Sequence, residues 1–467
     1  MKYVSTRGES PSSSFSDILL TGLATDGGLY MPDQWPAVDM QWMSRISGLS
    51  YGSLATQVMA PFIENDIPAD DFQNIVETVY GPERENFDHA AIAPLRQLGP
   101  NVWLMELFHG PTLSFKDVAM QLLGPLFDYV LARQNKRVTI LAATSGDTGS
   151  AAIHGCHGRD NIDIVVLHPH EKTSEVQRKQ MTTVQADNVH NISVKGSFDD
   201  CQAMVKILFG EEDFRTRMNL TAVNSINWAR IMAQMVYYFS AALSLGGPKR
   251  PVSFVVPTGN FGNVFAAYSA KKLGLPIERL IIANNPNDTL ARFFNTGSMK
   301  PGKVASSLSP SMDIQVPSNF ERYLFELLRR DSSQLLTIMG DLKNRRGFNL
   351  SEDLMPRAQT DFQGFSASDT DTLDMISLCY ETTGIIVDPH TAVGLQAAQA
   401  LHDDPETPLV VLACAHASKF PETVEKAIGI KPPMPRKLVE VMRGKERYEV
   451  IDNDVNALRD YMTNMKR

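Results

Sequence analysis

The chain has 467 residues, of which 43% are apolar, and a formal net charge of -9. This length is enough for two or three domains, or for one large two-lobed enzyme with an added segment. The negative charge argues against nonspecific binding to nucleic acid and against binding to an anionic membrane surface. No apolar run approaches the ~20 residues that span a bilayer. We therefore expect neither nucleic acid nor a membrane among its partners.

The N-terminus and the cysteines indicate the compartment. The first residues, MKYVSTRGESPSSSFSD, contain no apolar stretch of the kind found in secretory signals. The cysteines show no CxxC spacing, which fits a reducing cytosol better than a disulfide framework. They are Cys156, Cys201, Cys379 and Cys414. We therefore expect a cytoplasmic protein.

From Asn101 onward, short apolar runs alternate with helical patterns. Residues 1–95 carry turn signals but no clear strand–helix alternation, and they are interpreted as a separate N-terminal segment. A helix is predicted over KDVAMQLLGPLFDYVLARQ, where apolar residues recur at spacings of three and four. Buried strands are predicted in NVWLMEL, RVTILAA, IDIVVLHP, VSFVV, RLIIAN and PLVVLACA. This alternation predicts an α/β fold with mainly parallel sheets.

Polar loops follow three of the predicted strands, at 144–149, 258–263 and 414–418. In parallel sheets, ligands bind where loops leave the carboxyl ends of strands, so these loops are candidate binding sites. The stretch from about 296 to 375 breaks the alternation and is interpreted as an insertion that packs on the core. The basic KNRR around Arg345 is interpreted as solvated surface.

The loop PTGNFGN has the properties of a phosphate cradle. Gly259 and Gly262 permit close backbone approach and positive φ, and successive N–H groups can form an anion-binding nest. Asn260 and Asn263 add amide donors, and the helix that follows directs the positive end of its dipole at the same point. The loop contains no Lys and its spacing is not GxGxxG, so it is neither a Walker A motif nor a dinucleotide fingerprint. An ordinary strand–helix turn is the alternative interpretation.

Lys116, in HGPTLSFKDVAMQ, lies where the predicted helix begins, with Ser114 as a candidate cap and Asp117 in the first turn. The helix dipole disfavours a positive charge at this end. Partial burial would destabilise the ammonium form further, which suits a Lys that forms an imine. A solvent-facing Lys at a frayed turn is the alternative. A phosphate cradle and an activated Lys, without Walker or Rossmann motifs, suggest pyridoxal 5′-phosphate (PLP).

The loop ATSGDTGSAA opens a helix after a strand. Its residues Ser145, Gly146, Asp147, Thr148 and Gly149 include two hydroxyls, which together with the N–H groups of the helix N-terminus suit a carboxylate or a second phosphate. The same residue types also cap helices without any ligand, so a plain capping motif is the alternative.

Two histidine-containing stretches, HGCHG and HPHE, invite a metal interpretation. Neither is completed by a second spaced pair, and zinc sites generally need three or four protein ligands. We therefore expect no metal at these residues, which are His154, Cys156, His157, His168, His170 and Glu171.

Six motifs together closely resemble those of the threonine synthase family: FHGPTLSFKD, ATSGDTGSAA, NSINWARI, PTGNFGN, VDPHTAVG and AHASKF. The resemblance runs over nearly the whole chain and includes an N-terminal stretch typical of the longer bacterial and fungal form. It implies PLP fold type II, with two lobes of mainly parallel open sheets flanked by helices. The implied domains are an N-terminal family domain at 1–95 and a catalytic region at 96–467, with the smaller lobe at about 115–245.

The resemblance also implies roles for individual residues. It implies that Lys116 forms the internal aldimine with PLP and that the PTGNFGN loop holds the cofactor phosphate through Gly259, Asn260, Phe261, Gly262 and Asn263. Cys414 stands where the family usually has a Thr that faces the ring nitrogen of PLP, and a thiol is the weaker hydrogen-bond partner. Asp147 stands where related enzymes often have an Asn near the PLP 3′-oxygen, and a carboxylate there requires a shared proton.

The reaction that the resemblance implies is the conversion of O-phospho-L-homoserine and water to L-threonine and phosphate. The candidates for binding this substrate are Ser145, Thr148, Asn227 and Arg230, with Lys172 and Arg178 as weaker ones. Arg230 can bind an anion through two N–H groups. Two alternatives stay open: a phospho-lyase that releases 2-oxobutyrate, and a catalytically silent PLP-binding protein. The expected partner is this small substrate, and the chain is expected to be a monomer or a homodimer.

Overall fold

The computed structural model describes residues 1–344 and 346–465, so Arg345, in the basic stretch interpreted as solvated surface, lies outside the described residues. The strands within them are β1 (Tyr3–Ser5), β2 (Tyr30–Pro32), β3 (Leu95–Gly99), β4 (Val102–Glu106), β5 (Val138–Ala143), β6 (Ile162–Pro169), β7 (Val189–Lys195), β8 (Leu220–Thr221), β9 (Val252–Pro257), β10 (Ile277–Asn284), β11 (Ser298–Met299), β12 (Phe348–Asn349), β13 (Gln363–Ser366), β14 (Leu409–Ala413) and β15 (Glu449–Asp452).

The α-helices of the described residues are α1 (Phe15–Thr21), α2 (Met40–Ile46), α3 (Tyr51–Ile63), α4 (Ala69–Tyr80), α5 (Lys116–Gln134), α6 (Asp147–Cys156), α7 (Glu175–Thr182), α8 (Phe198–Gly210), α9 (Glu212–Met218), α10 (Trp228–Ser244), α11 (Gly262–Leu273), α12 (Thr289–Thr296), α13 (Phe320–Leu327), α14 (Ser332–Lys343), α15 (Met355–Asp361), α16 (Asp369–Thr383), α17 (Pro389–Leu401), α18 (Pro421–Ile428), α19 (Arg436–Arg443) and α20 (Val455–Asn464).

Six strands form the larger sheet, in the order β13-β10-β9-β14-β4-β3. All neighbours are parallel except β3, which runs antiparallel to β4. In the middle of the sheet, Val411 of β14 lies opposite Leu104 on one side and Val255 on the other. β9 and β14 are buried along their whole length, as expected of parallel strands covered by helices on both faces.

Five strands form the second sheet, in the order β15-β7-β6-β5-β8, and all neighbours are parallel. β6 is buried at every position, which is why its apolar run reads as continuous rather than alternating. The two sheets with their helices form two lobes. The predicted α/β class, with mainly parallel sheets in two lobes, is therefore confirmed.

The six predicted strands are present as β4, β5, β6, β9, β10 and β14, and the predicted helix is α5 with the same bounds. Among the strands that were not predicted, β13 and β15 are short and partly exposed edge strands, so no apolar run marks them. β13 lies inside the predicted insertion at about 296–375, and β15 lies far from the predicted smaller lobe at about 115–245. The larger sheet therefore includes a strand from the predicted insertion, and the second sheet includes a strand from outside the predicted smaller lobe.

The N-terminal segment packs against α10, a helix that also reaches the candidate site. The ring of Trp228, at the start of α10, lies 6.1 Å from the ring of Tyr3 and 5.7 Å from that of Phe62. All three side chains are buried. The N-terminal segment and the catalytic region therefore share one apolar core.

The helices α5 and α10 run through the interior of the molecule. Most residues of α5 and nearly all residues of α10 are buried, which is typical of helices enclosed by other layers. Among the described residues, no helix combines the length and the apolar character needed to cross a membrane.

Candidate active site

One cavity lies where the loops after β9 and β14 meet the first turns of α5, α6 and α11. This is the edge at which parallel sheets place their ligands. Its walls are formed by Phe115, Lys116, Thr148, Ser225, Arg230, Gln234, Pro257, Thr258, Gly259, Asn260, Phe261, Gly262, Asn263, Ser311, Met312, His390 and Cys414. The predicted lysine and the predicted glycine-rich loop, which are far apart in the sequence, therefore line the same cavity.

Lys116 is the first residue of α5 and is 9% exposed. The chain just before it is attached to the end of β14, because the Phe115 N–H donates to the Cys414 carbonyl at 2.8 Å. The prediction that Ser114 caps α5 is wrong: its hydroxyl lies 3.4 Å from that of Thr112, and it makes no bond to the helix N–H groups. Tertiary contacts, rather than a local cap, hold the start of this helix.

The surroundings of Lys116 make its positive charge costly. Burial lowers the pKa of Lys116, and the positive charges of Lys419 and Arg230 act in the same direction, whereas Asp147 acts against them. Oδ2 of Asp147 lies 3.5 Å from Lys116 Nζ. A buried amine with a lowered pKa is the form of lysine that acts as a nucleophile or a base.

Asp147 begins α6 and lies between two lysines. Its Oδ1 is 3.2 Å from Lys419 Nζ and accepts a hydrogen bond from Gln177 Nε2 at 2.9 Å. Its Oδ2 faces Lys116 and accepts from the Ser311 hydroxyl at 3.3 Å. Burial alone would raise the pKa of this carboxyl, but the two ammonium groups and the Gln177 bond hold it well below its ordinary value. Asp147 is therefore an ionised carboxylate. The sequence predicted that a carboxylate at this position must share a proton, and Lys116 and Lys419 are the groups that can share one with it.

Sequence reasoning missed Lys419, His390 and Ser311 as residues of the site. Lys419 and His390 stand in the motifs AHASKF and VDPHTAVG, so the position of these motifs beside β14 and α17 is a signal that could have found them. His390 Nδ1 donates to Asp388 at 2.8 Å and its Nε2 accepts from the Ser311 N–H at 3.2 Å, so the ring proton lies on Nδ1. Ser311 lies in the stretch interpreted as an insertion, where no local pattern indicates a site.

The loop between β9 and α11 needs a glycine for close packing rather than for positive φ. Positive φ occurs at Phe261, with φ 64°, and not at Gly259 or Gly262. Gly259 is required by close packing, because a Cβ there would lie 2.7 Å from the carbonyl oxygen of Ser311. Of the two properties that the glycines permit, the structure therefore uses close approach at Gly259, whereas the positive φ falls on Phe261 between them.

The ring of Phe261 anchors this loop in the core. It is buried, stacks on Phe294, and lies 5.4 Å from the rings of both Phe320 and Phe362. This packing commits the side chain to the core and leaves the backbone of Phe261 to line the cavity. α11 begins at the next residue, Gly262, and the first N–H groups of a helix have no partners within it. They are available to an anion.

Asn263, in the first turn of α11, presents an oriented amide to the cavity. Its Oδ1 accepts hydrogen bonds from the hydroxyls of Tyr237 at 2.5 Å and Tyr238 at 2.7 Å. Its Nδ2 is buried and has no hydrogen-bond partner among the described residues. Asn260, by contrast, is exposed, and its Oδ1 accepts from Ser318 at 3.3 Å. An unpaired buried donor costs about 1–3 kcal/mol, so Asn263 indicates a ligand that accepts a hydrogen bond.

Arg230 lies in the first turn of α10 and is 4% exposed. Its Nε and Nη1 have no hydrogen-bond partner within the described part of the chain. Burial lowers the pKa of Arg230 to about 10, so the guanidinium keeps its charge at neutral pH. A buried and unpaired guanidinium in a cavity wall is suited to an anionic ligand.

The other substrate candidates differ in their position relative to the cavity. Thr148 lines it, whereas Ser145 is exposed and does not contribute to its wall. The prediction for Asn227 is corrected by its contacts: Oδ1 accepts from the Ala229 N–H at 3.0 Å, and Nδ2 donates to the Leu19 carbonyl at 2.8 Å. Its amide is committed to capping α10 and to the N-terminal segment, so it is not available to a substrate.

The two weaker candidates also lie outside the cavity wall. Lys172 is exposed, and Arg178 donates to both carboxylate oxygens of Glu446, at 2.9 Å and 3.0 Å. Ser225 and Gln234, which sequence reasoning did not select, line the cavity beside Arg230.

The histidine-containing stretches are partly buried in the smaller lobe and partly exposed, as at His157 and Glu171. His154 Nε2 lies 3.1 Å from the Gln180 carbonyl, and His168 is buried in β6. In the residues that the structure describes, no three His, Cys, Asp or Glu side chains are placed to hold a metal ion. The four cysteines are buried free thiols.

Comparison with known proteins first identifies the class of protein. The family model described as pyridoxal-phosphate dependent enzyme matches residues 89–341. Two further models, for the threonine synthase N terminus and the threonine synthase C-terminal region, match residues 2–80 and 391–462. The fold and the site therefore define a PLP-dependent enzyme of fold type II, and its cofactor is PLP.

Full-length relatives then identify the family. The threonine synthase of Pseudomonas aeruginosa is 48% identical over 464 residues, which cover 99% of this chain and 98% of that protein. The solved structure of PLP-bound threonine synthase from Brucella melitensis has a TM-score of 0.97 at 48% identity and covers 100% of both chains. That of threonine synthase from yeast has a TM-score of 0.94 at 38% identity, with 99% of this chain and 98% of that chain covered. The chain belongs to the threonine synthase family.

Proposed function

We infer that the protein catalyses the reaction for which its family is named, in which O-phospho-L-homoserine and water give L-threonine and phosphate. The observation that carries this inference is the meeting of three groups in one cavity: the buried amine of Lys116, the unpaired amide of Asn263 and the unpaired guanidinium of Arg230. The reaction breaks the carbon–oxygen bond to the phosphate, so the enzyme is a carbon–oxygen lyase.

The residues of the cavity fit PLP, which carries a phosphate and an aldehyde. Asn263 Nδ2 and the first N–H groups of α11 form a donor-rich wall for the phosphate. Lys116 supplies the amine that bonds to the aldehyde. Cys414 is a neutral thiol, because burial raises its pKa, so it brings no negative charge to the cavity wall. When bound, PLP supplies an electron sink for negative charge on the substrate carbons next to the amine.

Lys116 Nζ moves the protons of the reaction. With PLP and substrate bound, its amine would be the base that removes the proton from the substrate carbon next to the substrate amine, and the acid that later returns a proton. Its burial beside Lys419 and Arg230 favours the neutral amine that a base requires. Arg230, with Thr148 and Ser225 in the same wall, binds the anionic groups of the substrate and stabilises the departing phosphate.

The test is product analysis with the purified holoenzyme and O-phospho-L-homoserine in water enriched with oxygen-18. We expect threonine and phosphate in equal amounts, with the label in the threonine hydroxyl and not in the phosphate, because the bond between carbon and oxygen breaks. Release of 2-oxobutyrate and ammonia in place of threonine would identify a phospho-lyase. Label in the phosphate would indicate a phosphatase, and no turnover would indicate a silent PLP-binding protein.

Borohydride reduction of the holoenzyme followed by peptide mapping tests the role of Lys116. We expect the cofactor on the peptide that contains Lys116. Lys419 is a built-in comparison, because it is the other buried lysine that contacts Asp147. Cofactor bound to the Lys419 peptide would contradict the assignment.

A further inference from the structure

Lys419 is a lysine whose side chain is completely buried, and it ends the short 3-10 turn Ala417–Lys419 that follows β14. Its ammonium donates to the Thr112 carbonyl at 2.5 Å and to Gln180 Oε1 at 2.7 Å, and it lies 3.2 Å from Asp147 Oδ1. Two of the three N–H donors of an ammonium therefore have hydrogen-bond acceptors here, and the carboxylate of Asp147 forms an ion pair with the same group. Lys419 is therefore held in one position, and the carboxylate in ion-pair contact with it is that of Asp147.

Lys116 is held much less firmly on the other side of the same carboxylate. Its Nζ lies 3.5 Å from Asp147 Oδ2, and Asp147 is its only ion-pair partner in the part of the chain that the structure describes. Asp147 therefore lies between one lysine that two hydrogen bonds to other residues hold in place and one that is free to leave. Removing a charge from water costs several kcal/mol unless the charge is paired, so the carboxylate needs a partner at all times.

We propose that Lys419 is a positioning residue that keeps Asp147 ionised and paired, so that Lys116 can lose its proton and its contact with Asp147 without leaving a buried carboxylate uncompensated. This deepens the proposed function, since it rests on Lys116 being the lysine that bonds the cofactor. Lys419 itself does not move and touches neither the substrate nor the cofactor in this role.

The charges around Lys116 agree with this division of roles. The groups that face it are Asp147 from α6, Lys419 from the segment after β14, Arg230 from α10 and Cys414 at the end of β14. Burial has the largest effect on the pKa of Lys116 and lowers it, and the charge of Lys419 lowers it further. Without Lys419, Asp147 would have Lys116 as its remaining ammonium partner, and the attraction between them would hold the proton on Lys116.

The experiment measures the titration of Lys116 in the apoenzyme, without any turnover. Trace labelling with acetic anhydride between pH 6 and pH 11, read by mass spectrometry, reports the apparent pKa of Lys116. We expect this pKa to rise by about one unit or more in Lys419→Met. Lys179→Met is the matched control, because Lys179 lies on α7 outside the cavity wall and contacts Glu175 and the Met442 carbonyl of α19. It should leave the pKa of Lys116 unchanged.

A second variant separates this role from simple support of the fold. Lys419→Met combined with Asp147→Asn removes both charges, so the pKa of Lys116 should return to the wild-type value or lower. The double variant is neutral at this contact and is the one to use if the single variant does not fold. With it, a Lys116 pKa still above wild type would overturn the proposal, as would an unchanged pKa in Lys419→Met.

The outcome is independent of the proposed reaction. A shift of the Lys116 pKa without threonine formation by the holoenzyme would contradict the proposed function alone. Threonine formation without any shift would contradict the role of Lys419 alone.

Discussion

The hydroxyl of Tyr238 donates to the side-chain oxygen of Asn263 at 2.7 Å, and so determines which end of that amide faces the cavity. Tyr237 donates to the same oxygen at 2.5 Å. Because an amide carries its oxygen and its nitrogen on opposite sides, the two hydroxyls direct Nδ2 away from themselves. The unpaired donor of the cavity is therefore a consequence of two buried tyrosines.

Replacing both tyrosines, in Tyr237→Phe/Tyr238→Phe, should weaken the binding of PLP. The amide would be free to rotate, and we expect a loss of about 1–2 kcal/mol, or about 5- to 30-fold in Kd. Titration of the apoenzyme with PLP, followed by absorbance, measures this. Tyr3→Phe is the control, since its hydroxyl donates to the Phe62 carbonyl in another part of the core. An equal loss in the control would show that the effect is not specific to Asn263.

Arg230→Met should make the apoenzyme more stable and less active. The replacement removes a buried charge whose Nε and Nη1 have no partner, and we expect the free energy of unfolding to rise by about 1–3 kcal/mol. We expect kcat/KM for O-phospho-L-homoserine to fall by roughly 10- to 1000-fold, which corresponds to about 1.4–4 kcal/mol. Urea unfolding and steady-state kinetics measure the two effects.

Arg322→Met is the matched control for Arg230→Met. Arg322 is also fully buried, but its guanidinium donates to the Tyr30 carbonyl, the Ile226 carbonyl and Asn319 Oδ1. Its removal leaves three acceptors without partners and should destabilise the protein by about 3 kcal/mol or more. If Arg230→Met destabilised the protein to the same extent with normal activity, Arg230 would be structural.

Gly259→Ala should lower both the stability and the PLP content. Its Cβ would lie 2.7 Å from the Ser311 carbonyl oxygen and 3.2 Å from Met312 Cα, so one of the two segments must move. We expect a loss of about 1–3 kcal/mol in the free energy of unfolding. Gly340→Ala in α14 is the comparison, because its Cβ meets no atom within 4 Å, and it should gain about 0.5–1 kcal/mol. Unchanged stability and full PLP occupancy in Gly259→Ala would contradict the close-packing argument.

His168 should make the protein sensitive to acid. Neither of its ring nitrogens has a hydrogen-bond partner among the described residues. Burial lowers the pKa of His168 to about 4, and the Pro169 backbone offsets this only in part. The folded-state pKa lies below the unfolded value of about 6.5, so the unfolded chain binds a proton more readily. The contribution of neutral, buried His168 to the free energy of unfolding is therefore complete above about pH 6.5. It is lost as the pH falls towards 4, by about 3 kcal/mol.

His168→Phe should remove this acid sensitivity. The ring lies against Tyr448, 6.2 Å between centroids, so an aromatic replacement keeps the packing and sacrifices no hydrogen bond. Urea unfolding at pH 7.5, 6 and 5 measures the difference between the variant and the wild type. The difference should grow in favour of the variant as the pH falls, and a constant difference would contradict the buried neutral histidine.

The sequence by itself determined the elements whose evidence is local. The buried strands β5, β6, β9 and β14 appear as continuous apolar runs, and α5 begins at Lys116 as its periodicity predicts. The predicted order of strands and helices was enough to predict that the loops after β9 and β14 lie at one edge of a sheet, because the carboxyl ends of parallel strands lie together. Local hydrophobicity and chain direction suffice for these conclusions.

Only the tertiary structure decided which polar groups meet. Asn227 was a sequence-based candidate for binding the substrate, yet its side chain caps α10. Lys419 stands in the motif AHASKF, but only the folded chain shows that it lies 3.2 Å from Asp147. β13 and β15 join the sheets as edge strands although neither is marked by an apolar run. The physical reason is that a hydrogen bond or an ion pair depends on a distance of about 3 Å between two groups. For the contact of Lys419 with Asp147, and for that of Asn227 Nδ2 with the Leu19 carbonyl, this distance is set by packing between segments more than two hundred residues apart.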